Sequence, residues 1–232
     1  MKSINNILAS LLLIGLLVGC RAAQFYELPM YGKLPKSPEV QKADKEFVAW
    51  AVNEFGSPAK ASEDAANRGW KSYYQNDMVT ALNRFNQAWL LDTNNAQAYY
   101  GFGVIMGQRA RQENTEKNLQ ESIRFLQIAG EKAPGNGRII GDIAFSHTIL
   151  GYYYKSEKKN IVEAQKHFEK AGELFIEAYK IEPTYPPIVG NWSVYYFYTG
   201  DYRQAKSKAD EAIKLGYSYD SIYIKDLERN LK

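Results

Sequence analysis

The chain has 232 residues, of which 45% are hydrophobic and 24% charged; it can bury a core without disulfide or metal staples and is too mixed for a disordered or multi-span membrane protein. Lysine plus arginine number 29 against 26 aspartate plus glutamate, with no basic run in the body of the chain, which argues against a dedicated nucleic-acid binder. One cysteine and two histidines supply neither an internal disulfide nor a Cys/His zinc set, so no metal or cofactor is expected, and 18 tyrosines with 4 tryptophans favour recognition over chemistry.

In chain order, Lys2 gives a positive start, and Ile7 to Val18 form an apolar stretch broken only by Ser10 and Gly15. That stretch is too short to cross a bilayer as a helix, which needs roughly 20 residues, and residues 1–19 read as a signal peptide. Leu17-Val18-Gly19-Cys20 resembles a bacterial lipobox, which implies that Cys20 becomes an acylated (palmitate-type) first residue of the mature protein. Arg21, standing where an aspartate would signal retention, implies the outer membrane and its periplasmic face; in a single-membrane bacterium the address becomes the outer face of the plasma membrane. Residues 20–37 contain Pro29, Gly32 and Pro35 with no helical stripe and read as the acylated cysteine and a flexible tether. The alternative is that Phe25, Tyr26, Leu28, Met30 and Tyr31 dock on the domain.

Ser37-Pro38-Glu39 is an N-cap with proline at the first helical position, and Val40, Ala43, Phe47, Trp50, Ala51 and Phe55 continue one stripe, predicting an N-terminal helix over 38–56. Ser57-Pro58 restarts the chain, and a longer period follows: Gly69 and Gly103 lie 34 residues apart. Asp77, Ala81, Phe85 and Ala88, then Tyr99, Phe102, Gly103, Ser122, Leu126, Ala129 and Pro134, then Trp192, Tyr196, Gly200-Asp201-Tyr202, Ala205, Ala209 and Ala212, take the spacing of helical hairpins. In the third unit His147, Leu150, Gly151 and Tyr154 repeat Ile140, Ile143, Ala144 and His147 one heptad on; Ala171, Phe175, Ala178 and Pro183 likewise repeat Ala164, Phe168 and Ala171. Two long helices near 138–157 and 161–181 are predicted. Tyr223, Leu227 and Leu231 form the stripe of a capping helix within 218–232.

On these residues the chain resembles the tetratricopeptide repeat family, as a bacterial lipoprotein member. The resemblance implies an all-α, helical-hairpin solenoid, a TPR-like superhelix, with about four hairpins over 57–217 and the third elongated. It also implies a concave groove for a protein or peptide partner. The outward positions of the family's first helices fall on Trp70, Tyr73 and Tyr74, on Tyr100, Val104 and Gln108, on Arg138, Phe145 and Tyr152, and on Val194, Phe197 and Tyr198. Arg138 and Gln108 are of the type that orients a carboxylate or a backbone amide.

Other signals fail on context. Gly101-Phe102-Gly103 has no strand before it, so it is hairpin packing and not a phosphate loop. His147 and His167 take core and surface phases on different helices with no ligand or triad partner, and are read as structural or solvated. No catalytic set is visible, and an enzyme is not expected. The functional expectation is an interaction scaffold or assembly factor of the bacterial cell envelope, held to the membrane through Cys20. The alternative is a lipoprotein that stacks peptidoglycan or another glycan on the same aromatics.

Overall fold

The computed structural model describes residues 27–231. The expected signal peptide and Cys20 lie outside the described residues. Among the described residues the fold is all-α: a short 3₁₀ turn at Pro29–Lys33 precedes ten helices, α1 (Pro38–Phe55), α2 (Pro58–Tyr74), α3 (Met78–Leu91), α4 (Ala96–Arg109), α5 (Thr115–Lys132), α6 (Gly137–Ser156), α7 (Ile161–Ile181), α8 (Pro186–Thr199), α9 (Tyr202–Lys214) and α10 (Ser221–Asn230). Consecutive helices pair as hairpins, α2 with α3, α6 with α7, and α8 with α9; α6 and α7 are the longest two, at 20 and 21 residues. Two compact units are formed, the first ending at Gly101 and the second beginning at Phe102, so the division falls inside α4.

Helix starts are written in side chains that accept from the exposed amides of the first turn. Ser37 accepts from Val40 N–H, Ser57 from Lys60, Asp77 from Thr80, Asn160 from Glu163, Asp201 from Gln204, and Asp220 from Ile222. Proline occupies the first turn of α1, α2 and α8, where no amide hydrogen bond is lost. Gly200 ends α8 in the left-handed conformation, at φ 93°.

In the first unit, Ala51 of α1 packs with Ala61, Ala65, Ala66, Ala88, Leu91 and Ala98, and Phe47, Phe55 and Trp89 close over them. Small residues let these helices approach, and one ring fills the remaining space. Phe85 on α3 is fully buried with its ring over Gly69 of α2 and Gly101 of α4. A Cβ at Gly69 would lie 2.7 Å from that ring, and one at Gly101 would overlap it. Buried Ser62 ties the same hairpin, donating to Ala88 carbonyl at 2.7 Å and accepting from Asn95 at 2.7 Å.

The second unit repeats the device. Leu126 lies over Gly103, Phe168 over Gly151, and Tyr217 over Gly190. Phe175 stacks on Trp192 at 6.1 Å, within a cluster that includes Ala144 and Ala171. Ser193 is the counterpart of Ser62: it bonds the Ala205 carbonyl and the Tyr223 hydroxyl, each at 2.6 Å, and so joins α8, α9 and α10.

Residues 28–36 depart from the flexible-tether expectation. Met30 and Tyr31 are 5% and 6% exposed, Asn86 on α3 donates to Leu28 carbonyl at 3.0 Å, and Lys36 pairs with Asp44 on α1 while its ammonium sits 4.2 Å above the Tyr31 ring. The apolar residues dock because the carbonyl and ammonium that accompany them also find partners. Docking carries strain: Met30, Tyr31 and Lys33 stand at φ 54°, 54° and 53°. The left-handed region costs a non-glycine residue about 1–2 kcal/mol, against about 1.5–3 kcal/mol gained for each large apolar side chain buried.

The glycine seats give a direct expectation. Gly101→Ala should lower unfolding free energy by about 1–2 kcal/mol in urea titration, because overpacking against Phe85 outweighs the helical gain of alanine. Gly130→Ala, whose Cβ would meet only Ile139 at 3.7 Å, should instead stabilise by up to about 1 kcal/mol. Equal effects at the two sites would contradict the seating.

Candidate functional site

Four of the expected partner-facing residues lie in the first unit and form one cluster around Trp70. Its indole is 5.7 Å from Tyr73, 6.2 Å from Tyr74, 5.0 Å from Phe85 and 4.9 Å from Tyr100, ring centre to ring centre. Trp70 Nε1 donates to Gln97 Oε1 at 2.8 Å, which satisfies the one polar atom of the ring and fixes its orientation. Because Phe85 is seated on the glycines and Trp70 rests on Phe85, the outer rings are held from below. Trp70, Tyr73 and Tyr100 are half-buried; Tyr74 is 77% exposed at the end of α2 and presents its ring to solvent. An exposed aromatic backed by a rigid cluster loses little conformational entropy on binding, a property of interface anchors.

The other expected residues lie in the second unit and divide by what they touch. Val104 and Gln108 are half-buried on α4. Phe145 packs against the cluster of Ala144, Phe175 and Trp192, and Phe197 packs beside Tyr202 and Tyr223; both rings are half-buried. Arg138 is engaged within the fold: its Nε donates to Glu182 at 3.0 Å and its guanidinium lies 4.4 Å above the Tyr185 ring, joining the start of α6 to the end of α7. Tyr198 stacks face to face on Tyr152 at 4.1 Å, and Lys155 Nζ donates to its carbonyl at 3.1 Å. Tyr152 is 41% exposed, so this pair, one ring from α6 and one from α8, is the aromatic surface of the second unit. Val194 is half-buried.

Tyr217 belongs to the same surroundings and was not anticipated. It lies in the link before α10, packs on Gly190, and approaches Asn191 Oδ1 with its hydroxyl at 3.4 Å. Burial pushes the phenols of Tyr198 and Tyr217 up, and Arg111 acts on both in the opposite sense. Lys155 and Arg111 are exposed, and Asp142 acts on Tyr217 in the sense opposite to Arg111. Gly216 followed by Tyr217-Ser218-Tyr219 is the sequence signal that bears on it: a left-handed glycine, at φ 94°, turning the chain so that aromatics fall back on the hairpin.

Of the two roles open to the histidines, structural or solvated, the structure shows the first, with a partnering that the sequence did not give: His147 Nδ1 and His167 Nδ1 are 2.8 Å apart, a hydrogen bond between α6 and α7 that needs one imidazole as donor and the other as acceptor. Tyr154 stacks parallel on His167 at 5.5 Å and donates to Glu116 on α5 at 2.7 Å, and Lys158 pairs with the same carboxylate. The phase of each helix alone puts His147 on the core side and His167 on the surface side. The rotation of α6 against α7 brings them together.

Burial, then the His167 and Lys170 charges, bring the His147 imidazole down to about 4 from 6.5. His167 is also lowered, chiefly by burial, with Lys166 lowering and Glu163 raising it. On acidification the unfolded chain therefore takes up the proton first. The stabilisation from His147 is complete above pH 6.5 and is lost as pH falls from there towards 4, by about 3 kcal/mol in full. Urea titrations at pH 7.5 and 4.5 should show this loss, and His147→Gln should flatten it; an unchanged slope in the variant would assign the acid sensitivity elsewhere.

Among the described residues, no group of three or more His, Cys, Asp or Glu could hold a metal ion, and no helix is long and apolar enough to cross a membrane. No protein-family model matches the chain, and no curated protein does. Among solved structures the chain is similar to one titled "MamA RS-1 ArsTM double mutant", with 17% identity and a TM-score of 0.42 over 78% of this chain and 96% of that one.

Proposed function

We propose that the chain is a tetratricopeptide-type lipoprotein of the bacterial envelope, acylated at Cys20, that recruits a protein partner through the exposed aromatics of its first helices. The observation that carries the reading is Tyr74: a large ring, 77% exposed, backed by Trp70, which is itself braced by Phe85 and hydrogen-bonded to Gln97. A ring held in this way is suited to binding a surface of another macromolecule. The Tyr152–Tyr198 stack, with Lys155 and Arg111 at its edge, is the second contact surface in this account. Anchorage rests on the sequence: a charged start, a short apolar stretch, and the single cysteine after Leu-Val-Gly. Arg21 supports the periplasmic face of the outer membrane as the location.

Photo-crosslinking from positions 74 and 152 in living cells, followed by mass spectrometry of the adducts, tests the recruiting surface. The expected result is one dominant protein adduct from position 74, lost when Trp70 is replaced by alanine. No protein adduct, together with sedimentation of the chain with purified peptidoglycan, would overturn the protein-recruiting reading in favour of a glycan ligand. Metabolic labelling with an alkyne fatty acid should mark the wild-type chain and leave Cys20→Ser unmarked.

A further inference from the structure

His147 on α6 and His167 on α7 meet head to head across the long hairpin. Their Nδ1 atoms are 2.8 Å apart while their ring centres are 5.1 Å apart, so both nitrogens lie between the rings and each points at the other. Such a contact holds one proton, carried by one ring and met by the lone pair of the other. With both rings neutral, the donor has its hydrogen on Nδ1 and the acceptor has its own on Nε2. A first added proton takes the free Nε2 of the donor ring, and the Nδ1–H···Nδ1 bond stays, now charge-assisted. A second proton has one lone pair left to take, the acceptor's Nδ1, which is the nitrogen inside the bond. Two added protons therefore end it, leaving two N–H groups and two positive charges face to face. The surroundings assign the order. Glu163 on α7 favours a charge on His167 while burial and Lys166 oppose it; Tyr154 of α6 lies parallel to that ring at 5.5 Å, with its hydroxyl on Glu116 of α5, which Lys158 also meets. His147 is held against protonation by burial, by a charge on His167 and by Lys170. His167 is the donor and takes the first proton; His147 is the acceptor and takes the second.

We propose that this pair is an acid-released latch, which fastens the middle of the long hairpin with no added proton or with one and lets go with two, while the helices stay formed. Release is local because fastenings without a titrating group lie on either side of it. Towards the turn, Lys158 and Asn160 N–H donate to the Tyr153 and Tyr154 carbonyls at 3.3 and 2.9 Å, and Leu150 is buried with Ala110, Leu119 and Ile123. Phe168 lies over Gly151, and further along α7 Ala171, Phe175 and Ala178 are fully buried. Both histidine rings are half-buried, so each can turn to water without the arms parting. Turned outward, they add two positive charges to this part of the hairpin, beside Lys166 and Lys170. The latch depends neither on the membrane anchor nor on the aromatic recruiting surface.

Nitrogen NMR of the full chain, isotope-labelled at histidine, tests this, because 147 and 167 are its only two histidines. At neutral pH one ring should read as the Nδ1–H tautomer and the other as Nε2–H, with a coupling between the two Nδ1 nuclei across the hydrogen bond. On acidification the coupling should persist through the first protonation, at His167, and vanish with the second, at His147, as pH falls through about 4. Far-UV circular dichroism should keep its helical signal through that second step. In His167→Ala the His147 midpoint should shift upward, because the bond and the facing charge leave together. Matching tautomers without coupling at neutral pH, coupling lost with the first proton, or helicity lost together with the second would each overturn the latch. So would an unmoved His147 midpoint in His167→Ala.

Discussion

Phe85 can lie where it does only because two neighbouring helices present no side chain at Gly69 and Gly101. That constraint sets how closely α2, α3 and α4 approach, and the closeness lets one aromatic ring replace several smaller core residues. The same arrangement recurs with Leu126 over Gly103, Phe168 over Gly151 and Tyr217 over Gly190. Bulk on one helix and absence of bulk on the next is the physical content of the 34-residue spacing between Gly69 and Gly103.

The candidate site inherits this rigidity. Trp70 stands on Phe85, Tyr73 and Tyr74 stand on Trp70, and only the last of them reaches well into solvent. The site is therefore the exposed end of the core and not a decoration on a loop. In the second unit the Tyr152–Tyr198 stack arises similarly, from two helices whose approach is set by Ile188 against Gly141. Within each unit the exposed rings rest on the residues that fasten the hairpins, so a change of packing beneath the surface is expected to alter the exposed rings as well as stability.

Much of the helical frame was legible because its signals are local. Ser37-Pro38, Ser57-Pro58, Asp77 and Gly200-Asp201 mark helix ends through single hydrogen bonds or a single φ, and such signals do not depend on distant residues. The doubled register around His147 and Ala171 pointed to the long hairpin for the same reason. What depends on tertiary packing was not legible. The left-handed turn at Met30 and Tyr31 has local hydrogen bonds, but its docking depends on α1 and α3, which offer Asp44 and Asn86 to the chain on either side of it. The His147–His167 bond depends on the rotation of one helix about another, which the phase of each alone does not contain. Of the site residues, the spacing marked rings on first helices but could not rank them: Phe145 and Phe197 are half-buried against neighbouring clusters, Arg138 is held by Glu182, and Tyr74 is open.

Phe85 and the glycines opposite it act as one fitted unit, and a double-mutant cycle measures this directly. Phe85→Leu and Gly101→Ala would be made singly and together, with unfolding free energies from urea titration. The double variant should lose less than the two single losses combined, by at least about 1 kcal/mol, because the smaller leucine leaves room for the added methyl group. Additive losses would contradict it, showing that the ring and the missing side chain do not sense one another.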